Sequence, residues 1–155
     1  MLGCCLLVWG CGDQRSEGGA DIGEINTYLD RLKPILQELR SLDVEIARAV
    51  PADSISSDVI VPLIESRFRP KLLALQAQAR QINPTPELAT THKYLEAYLR
   101  LRLEAFELAI RGARQGQPEL FAQFGLRLAE ADEAGRALKT ALDQARLRLV
   151  ALGNI

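Results

Sequence analysis

The sequence predicts an all-α protein: an antiparallel up-down-up-down four-helix bundle with kinked helices, preceded by a signal segment and a short linker. Three observations predict it. Apolar residues recur every three or four positions from Ile25 to Leu152, which is the period of helices that bury one stripe. No segment after residue 20 alternates apolar and polar residues between turn signals, as a half-buried strand would. Three clusters of turn-forming residues, at Pro51 to Ser54, Asn83 to Pro86 and Gly116 to Pro118, cut the periodic stretch into four pieces. Connections that short make consecutive helices antiparallel neighbours.

The first helix is expected near residues 22–49. Ile25, Leu29, Leu32, Leu36 and Leu39 step by 4, 3, 4 and 3, a heptad-like seam. Pro34 lies inside it, and because the pattern continues across it the expectation is a kink rather than a break. Pro51, Asp53 and Ser54 mark the turn. The second helix is expected near 55–82, with a seam of Ile60, Ile64, Phe68, Leu72, Leu75, Ala79 and Ile82. Pro62 is placed in its first turn, where a missing N–H costs little, and Pro70 predicts a second kink.

The third helix follows a strong start signal. Thr85 is expected as N-cap, Pro86 at the first helical position and Glu87 at the positive end of the helix dipole. It runs near 86–114, with Leu88, His92, Leu95, Leu99, Phe106 and Ile110 on one stripe and Leu103 beside it. Its outer face is expected to pair Glu96 with Arg100 and Glu107 with Arg111 at i,i+4. Gly116 stops it, and Pro118 opens the fourth helix near 118–151. That helix carries the longest seam, from Leu120 and Phe124 through Leu128, Ala131, Gly135, Leu138, Leu142 and Ala145 to Leu149 and Leu152. The small residues Ala131, Gly135 and Ala145 should let a neighbour approach closely. Helices of this length make a bundle about 40 Å long.

Composition agrees with one ordinary domain. The chain has 155 residues, 48% hydrophobic and 25% charged, which is globular rather than disordered. With aromatics at only 5%, the core must be built from aliphatic side chains. The net charge of −1 offers no basic excess for a nucleic-acid surface, so no nucleic acid is expected as a partner.

All three cysteines, Cys4, Cys5 and Cys11, lie at the start of the chain. A disulfide framework would distribute them through the fold. The stretch Met1 to Gly10 is apolar and uncharged, with Leu2, Leu6, Leu7, Val8 and Trp9. It is too short to cross a bilayer but has the length of a signal-peptide hydrophobic region. Val8-Trp9-Gly10-Cys11 then resembles the lipobox of bacterial lipoproteins, with an aliphatic residue at −3 and a small one at −1. The resemblance implies that Cys11 receives diacylglycerol and becomes the acylated first residue of the mature protein. Trp9 is larger than such boxes usually carry at −2. No Lys or Arg precedes the apolar run, so the true start is expected upstream. An apolar N-terminus packed on the domain, and a plain secretory signal, are the alternatives.

The expected organisation is a signal segment at 1–10, a lipidated Cys11 with a flexible tether over 11–23, and a bundle domain over 24–155. Two or more acyl chains would hold the protein stably on a membrane. The expected location is therefore the bacterial cell envelope, lipid-anchored and facing the periplasm or the surface. A looser similarity to the helical-bundle bodies of small bacterial lipoproteins covers residues 84–145, through Pro86-Glu87, His92, Leu95, Ala105, Ile110, Gly116 and Leu120. It implies no activity.

Bundles often hold metals or haem, and this one lacks the ligands. A di-iron site needs two Glu-x-x-His pairs, but the only histidine is His92 and Ala89 stands three residues before it. No Cys-x-x-Cys-His run for c-type haem is present, and Met1 is the only methionine available as an axial partner. No Gly-x-Ser-x-Gly elbow provides a nucleophile. No cofactor, no metal and no enzymatic activity are expected. The residues left for interaction are the basic cluster Arg67, Arg69 and Lys71, the pair Tyr94 and Tyr98, and His92. The basic cluster is expected as a solvated face, or else a contact for anionic head groups or an acidic partner. The tyrosines are expected in packing and interface, and His92 as a part-buried residue hydrogen-bonded to a neighbour. Arg146 and Arg148 favour the C-terminal dipole.

The expected role is thus a non-enzymatic accessory or scaffold lipoprotein that meets another envelope protein. The alternative is a bundle that binds a small apolar ligand in a cavity above ~300 Å³, lined by Leu and Phe where Pro34, Pro62 and Pro70 splay the first two helices.

Overall fold

The computed structural model describes residues 22–49 and 57–153. The apolar start, Cys11, most of the tether and the turn at Pro51 to Ser54 lie outside the described residues. The elements are α1 (Ile22–Ala49), α2 (Ser57–Leu63), a π-helical turn (Ile64–Phe68), α3 (Arg69–Arg80), a 3-10 turn (Pro86–Leu88), α4 (Ala89–Gln115) and α5 (Pro118–Gly153). Taking α2 through α3 as one helical length, the chain is an all-helical four-helix bundle. No strand occurs among the described residues.

α4 is the central helix. It packs along α5 and against α3 and α2, while α1 lies against α3 and α5. Contacts between α4 and its neighbours pair residues in opposite chain order: Glu65 with Arg114 and Arg69 with Glu107 on one side, Phe121 with Gly112 and Gly135 with Tyr98 on the other. Its central place explains why α4 buries far more than one stripe, including Tyr98, Leu101, Arg102, Ala105, Leu108 and Ala109.

The predicted seams meet this arrangement with one rotation and some thinning. In α1 the buried set is Ile25, Tyr28, Leu32, Ile35, Leu39 and Leu42. Leu29 and Leu36, expected in the seam, are only partly buried beside it. The stripe is turned by one position because the polar-tipped Tyr28 faces inward toward α4. The seven-residue seam predicted from Ile60 to Ile82 is wholly buried. In α5 the fully buried members are Ala131, Leu138, Leu142 and Ala145. Leu120, Phe124, Leu128 and Leu149 are partly covered, and Leu152 is exposed, because α5 closes one outer side of the bundle.

The prolines act differently. α1 continues through Pro34 as one helix of 28 residues. Pro62 is the sixth residue of α2 rather than in its first turn, and its carbonyl accepts the Ser66 hydroxyl at 2.6 Å. Ahead of Pro70 the helix widens into the π turn, where the Arg69 N–H bonds Ile64 O. Pro70 has no N–H, and its ring crowds the carbonyl four residues back. The wide turn also serves the core. Ile60, Ile64, Phe68 and Leu72 are spaced by three steps of four residues, and each step overruns an α-helical turn by about 40°. The π turn takes up that excess, so all four stay buried.

The helix ends show one expected stop and one failed cap. Gly116 adopts φ 61°, the left-handed conformation that glycine reaches without penalty, and its N–H bonds Gly112 O. Gln117 N–H reaches the same carbonyl at 3.0 Å. Thr85 sits in an extended conformation before the 3-10 turn, but its side chain makes no capping bond and its hydroxyl is buried without a partner. The 3-10 turn displaces the start of α4 to Ala89, beyond the reach of the Thr85 hydroxyl.

Candidate functional site

Two polar groups are built into the bundle where α1 faces α4. The first joins Tyr28, His92 and Glu96. Tyr28 and His92 are 2% and 6% exposed, with the Tyr28 hydroxyl 3.2 Å from His92 Nδ1 and their rings edge-on at 6.0 Å. His92 Nε2 faces Glu96 Oε1 at 3.8 Å. A ring protonated at Nε2 presents that proton to the carboxylate and leaves Nδ1 to accept from Tyr28. Burial, with the Glu96 charge adding, pushes the Tyr28 phenol up to about 12. The phenol therefore stays a donor.

The second group joins Asp43, Tyr98 and Arg102. The Arg102 guanidinium donates to Asp43 and, at 2.5 Å, to the Tyr98 hydroxyl, and it lies 5.4 Å from the Tyr98 ring centroid. Tyr98 in turn sits 3.5 Å from both Asp43 oxygens. Burial pushes the Tyr98 phenol up, with Arg102 opposing. Burial weakens the hold of Arg102 on its proton, but Tyr98 and Asp43 outweigh it and keep the group charged. The Tyr98 ring presses on Gly135 of α5, where an added Cβ would stand 3.2 Å from the ring. This is the close approach predicted for the small residues of the last helix.

The basic cluster is not one patch. Arg67 and Lys71 both point to α1 and share Glu45, Lys71 at 2.5 Å, whereas Arg69 points the other way to Glu107 of α4. The hydrogen bond from Lys71 holds Glu45 below the usual carboxylate range against partial burial, with the charge of Arg67 adding. One helical turn thus clamps two neighbours. The same engagement overturns the i,i+4 pairs expected on α4: Glu107 bonds Arg69 rather than Arg111, Arg100 bonds Glu104 at 2.6 Å, and Glu96 faces His92.

Tyr94, one turn before Tyr98, is 37% exposed and lines a groove of about 480 Å³ between α4, α5 and Ile25 of α1. A second groove of about 490 Å³ runs between α1 and α5, over Leu36, Leu39, Leu138 and Leu142 and past Arg40 and Arg136. Both open to solvent and carry charged rims. Neither is lined by Pro34, Pro62, Pro70 or a phenylalanine.

The structure therefore separates the predicted site residues into a buried histidine, a buried tyrosine, a groove tyrosine and three cross-helix cations. No group of three or more metal-ligating side chains occurs among the described residues, and no helix among them is long and apolar enough to cross a membrane. No family model, curated protein or solved structure matches the chain. The polar members that sequence reasoning missed are Tyr28, Asp43 and Arg102. Tyr28 and Arg102 had a signal. Tyr28 lies three residues after Ile25 and four before Leu32, and Arg102 lies three residues after Leu99 and four before Phe106.

Proposed function

We propose that the chain is a lipoprotein anchored to a membrane of the bacterial cell envelope through Cys11, whose bundle serves as a non-enzymatic accessory or scaffold module for another envelope protein. The observation that carries the reading is the run Val8-Trp9-Gly10-Cys11 directly after an uncharged apolar stretch, with no cysteine later in the chain. Diacylglyceryl transfer needs that thiol, and cleavage before it needs the small Gly10. The scaffold half is supported by the interior. Tyr28, Tyr98, His92 and Arg102 are paired with one another or with a carboxylate, which rigidifies a bundle rather than preparing a reactive group. The tight packing of Leu32, Ile35, Ile64, Phe68 and Leu72 near the prolines, each 0–2% exposed, speaks against the apolar-ligand alternative.

Mass spectrometry of the amino terminus in native material tests the anchor. The expected result is an acylated cysteine at position 11, and a Cys11→Ser chain that leaves the membrane fraction while keeping its helical melt. An intact, unmodified amino terminus overturns the anchor. Crosslinking in the native cell tests the scaffold half. A specific envelope protein is expected, and a chain that captures none overturns that half.

A further inference from the structure

The first turn of α1 and the last turns of α5 lie at the same end of the bundle. Ile25 shares a groove with Ala145 and Arg148, so Ile22, one turn earlier, stands level with the final residues of α5. Among the described residues, that end also carries a cluster of exposed apolar side chains. Ile22, Leu147, Val150 and Leu152 are 38, 69, 62 and 44% exposed. Measured along α5 to Gly153, the three on that helix fall within about 9 Å of its end. This matches the depth of about 5–10 Å to which interfacial helices bury their apolar faces.

The chain enters the bundle at this end. Ten residues lie between Cys11 and Ile22, and on the scale of a random-coil linker those eleven steps would reach roughly 17–20 Å. An anchor at Cys11 holds this end, and not the opposite one, within reach of the surface. It raises the local concentration of lipid that the exposed side chains meet.

We propose that this end of the bundle rests on the lipid surface, with Ile22, Leu147, Val150 and Leu152 entering the interface. The inference rests on the anchor reading above for its occurrence in the cell. The charges there are Arg146 and Arg148 against Glu24 and Glu87, so contact is driven by apolar burial and does not require anionic lipid.

The test supplies the anchor chemically, which separates it from the question of whether the cell acylates Cys11. The full chain carrying Cys4→Ser and Cys5→Ser is coupled through Cys11 to maleimide-headgroup lipid, in vesicles doped with a diazirine phospholipid. The vesicles are made once of phosphatidylcholine and once with added phosphatidylglycerol. The position of photolabel is then read by mass spectrometry. Label on residues 147–153 is expected to exceed label on residues 122–130 by about tenfold in both compositions. The second region is the control, since Leu126 is 68% exposed on the same helix but far from the tethered end. Adding Leu147→Ser and Val150→Ser, both at exposed positions that the fold tolerates, is expected to remove the excess, whereas Leu126→Ser leaves it. Equal labelling of the two regions, an excess that survives the double substitution, or an excess that appears only with anionic lipid overturns the proposal. So does crosslinking of the end to a second copy of the chain in place of lipid.

Discussion

Gly125 and Gly135 stand ten residues apart in α5, and alanine should stabilise the helix at the first and fail to stabilise it at the second. In a helix interior, alanine is favoured over glycine by about 1 kcal/mol. A Cβ at Gly125 meets nothing within 4 Å, so Gly125→Ala should gain that full amount. A Cβ at Gly135 meets two carbons of the Tyr98 ring at 3.2 Å, and the ring must give way by a few tenths of an ångström. Tyr98 is poorly free to do so, since its hydroxyl is held by Arg102 and its ring is under the guanidinium. Overpacking of this kind costs about 1–3 kcal/mol, which cancels or exceeds the helical gain. The two variants should therefore differ by about 1–3 kcal/mol. For a domain of this size that is about 3–10 °C in melting temperature, read by circular dichroism at 222 nm. Tyr98→Leu in the Gly135→Ala background should restore part of the loss. If Gly135→Ala stabilises as much as Gly125→Ala, the close approach of α4 and α5 and the fixed position of Tyr98 are both wrong.

Leu138→Asp should unfold the domain, because Leu138 is 5% exposed and an unpaired carboxylate there costs several kcal/mol; a cooperative melt at the wild-type temperature would contradict the seam. Tyr28→Phe should cost about 1 kcal/mol through its lost hydrogen bond to His92. It should also flatten alkaline unfolding. A phenol raised from 10 to about 12 contributes stability that is whole below pH 10 and lost as pH rises toward 12. An unchanged alkaline limb in the urea midpoint would refute that role. Glu45 has the opposite sign. Its lowered carboxyl pKa contributes above the usual carboxylate range and is lost as pH falls through the depressed value. Glu45→Gln should thus lose stability at neutral pH and show a shallower acid limb, with equal acid limbs as the refuting result.

How much could be read in advance depended on whether a property is periodic or depends on contact. The helical seam from Ile60 to Ile82 was fully legible, since three- and four-residue spacing reports burial directly. The π turn was not expected as such: Pro70 predicted a kink, and the three four-residue steps from Ile60 to Leu72, which run past Pro70, leave an angular excess that the wide turn absorbs. Salt bridges were not legible. Local spacing points Glu107 to Arg111 one turn on, and the placement of α3 against α4 gave it Arg69 instead. For the same reason Arg67, Arg69 and Lys71 read as one basic patch, although alternate residues of a helix point to different neighbours. Thr85 read as an N-cap because its identity and the following proline fit one, and the 3-10 turn that separates it from α4 carries no distinct composition.

Local backbone preference and the period of apolar side chains are enough to set four amphipathic helices, their boundaries to within a few residues, and the stop at Gly116. Tertiary structure decided which helices became neighbours, which partners Tyr28, Arg102 and His92 found across the core, and that the exposed ends of α1 and α5 coincide. The second and third of these depend on the first. Two side chains 59 residues apart, such as Asp43 and Arg102, acquire their energies only once the packing of the helices has brought them together.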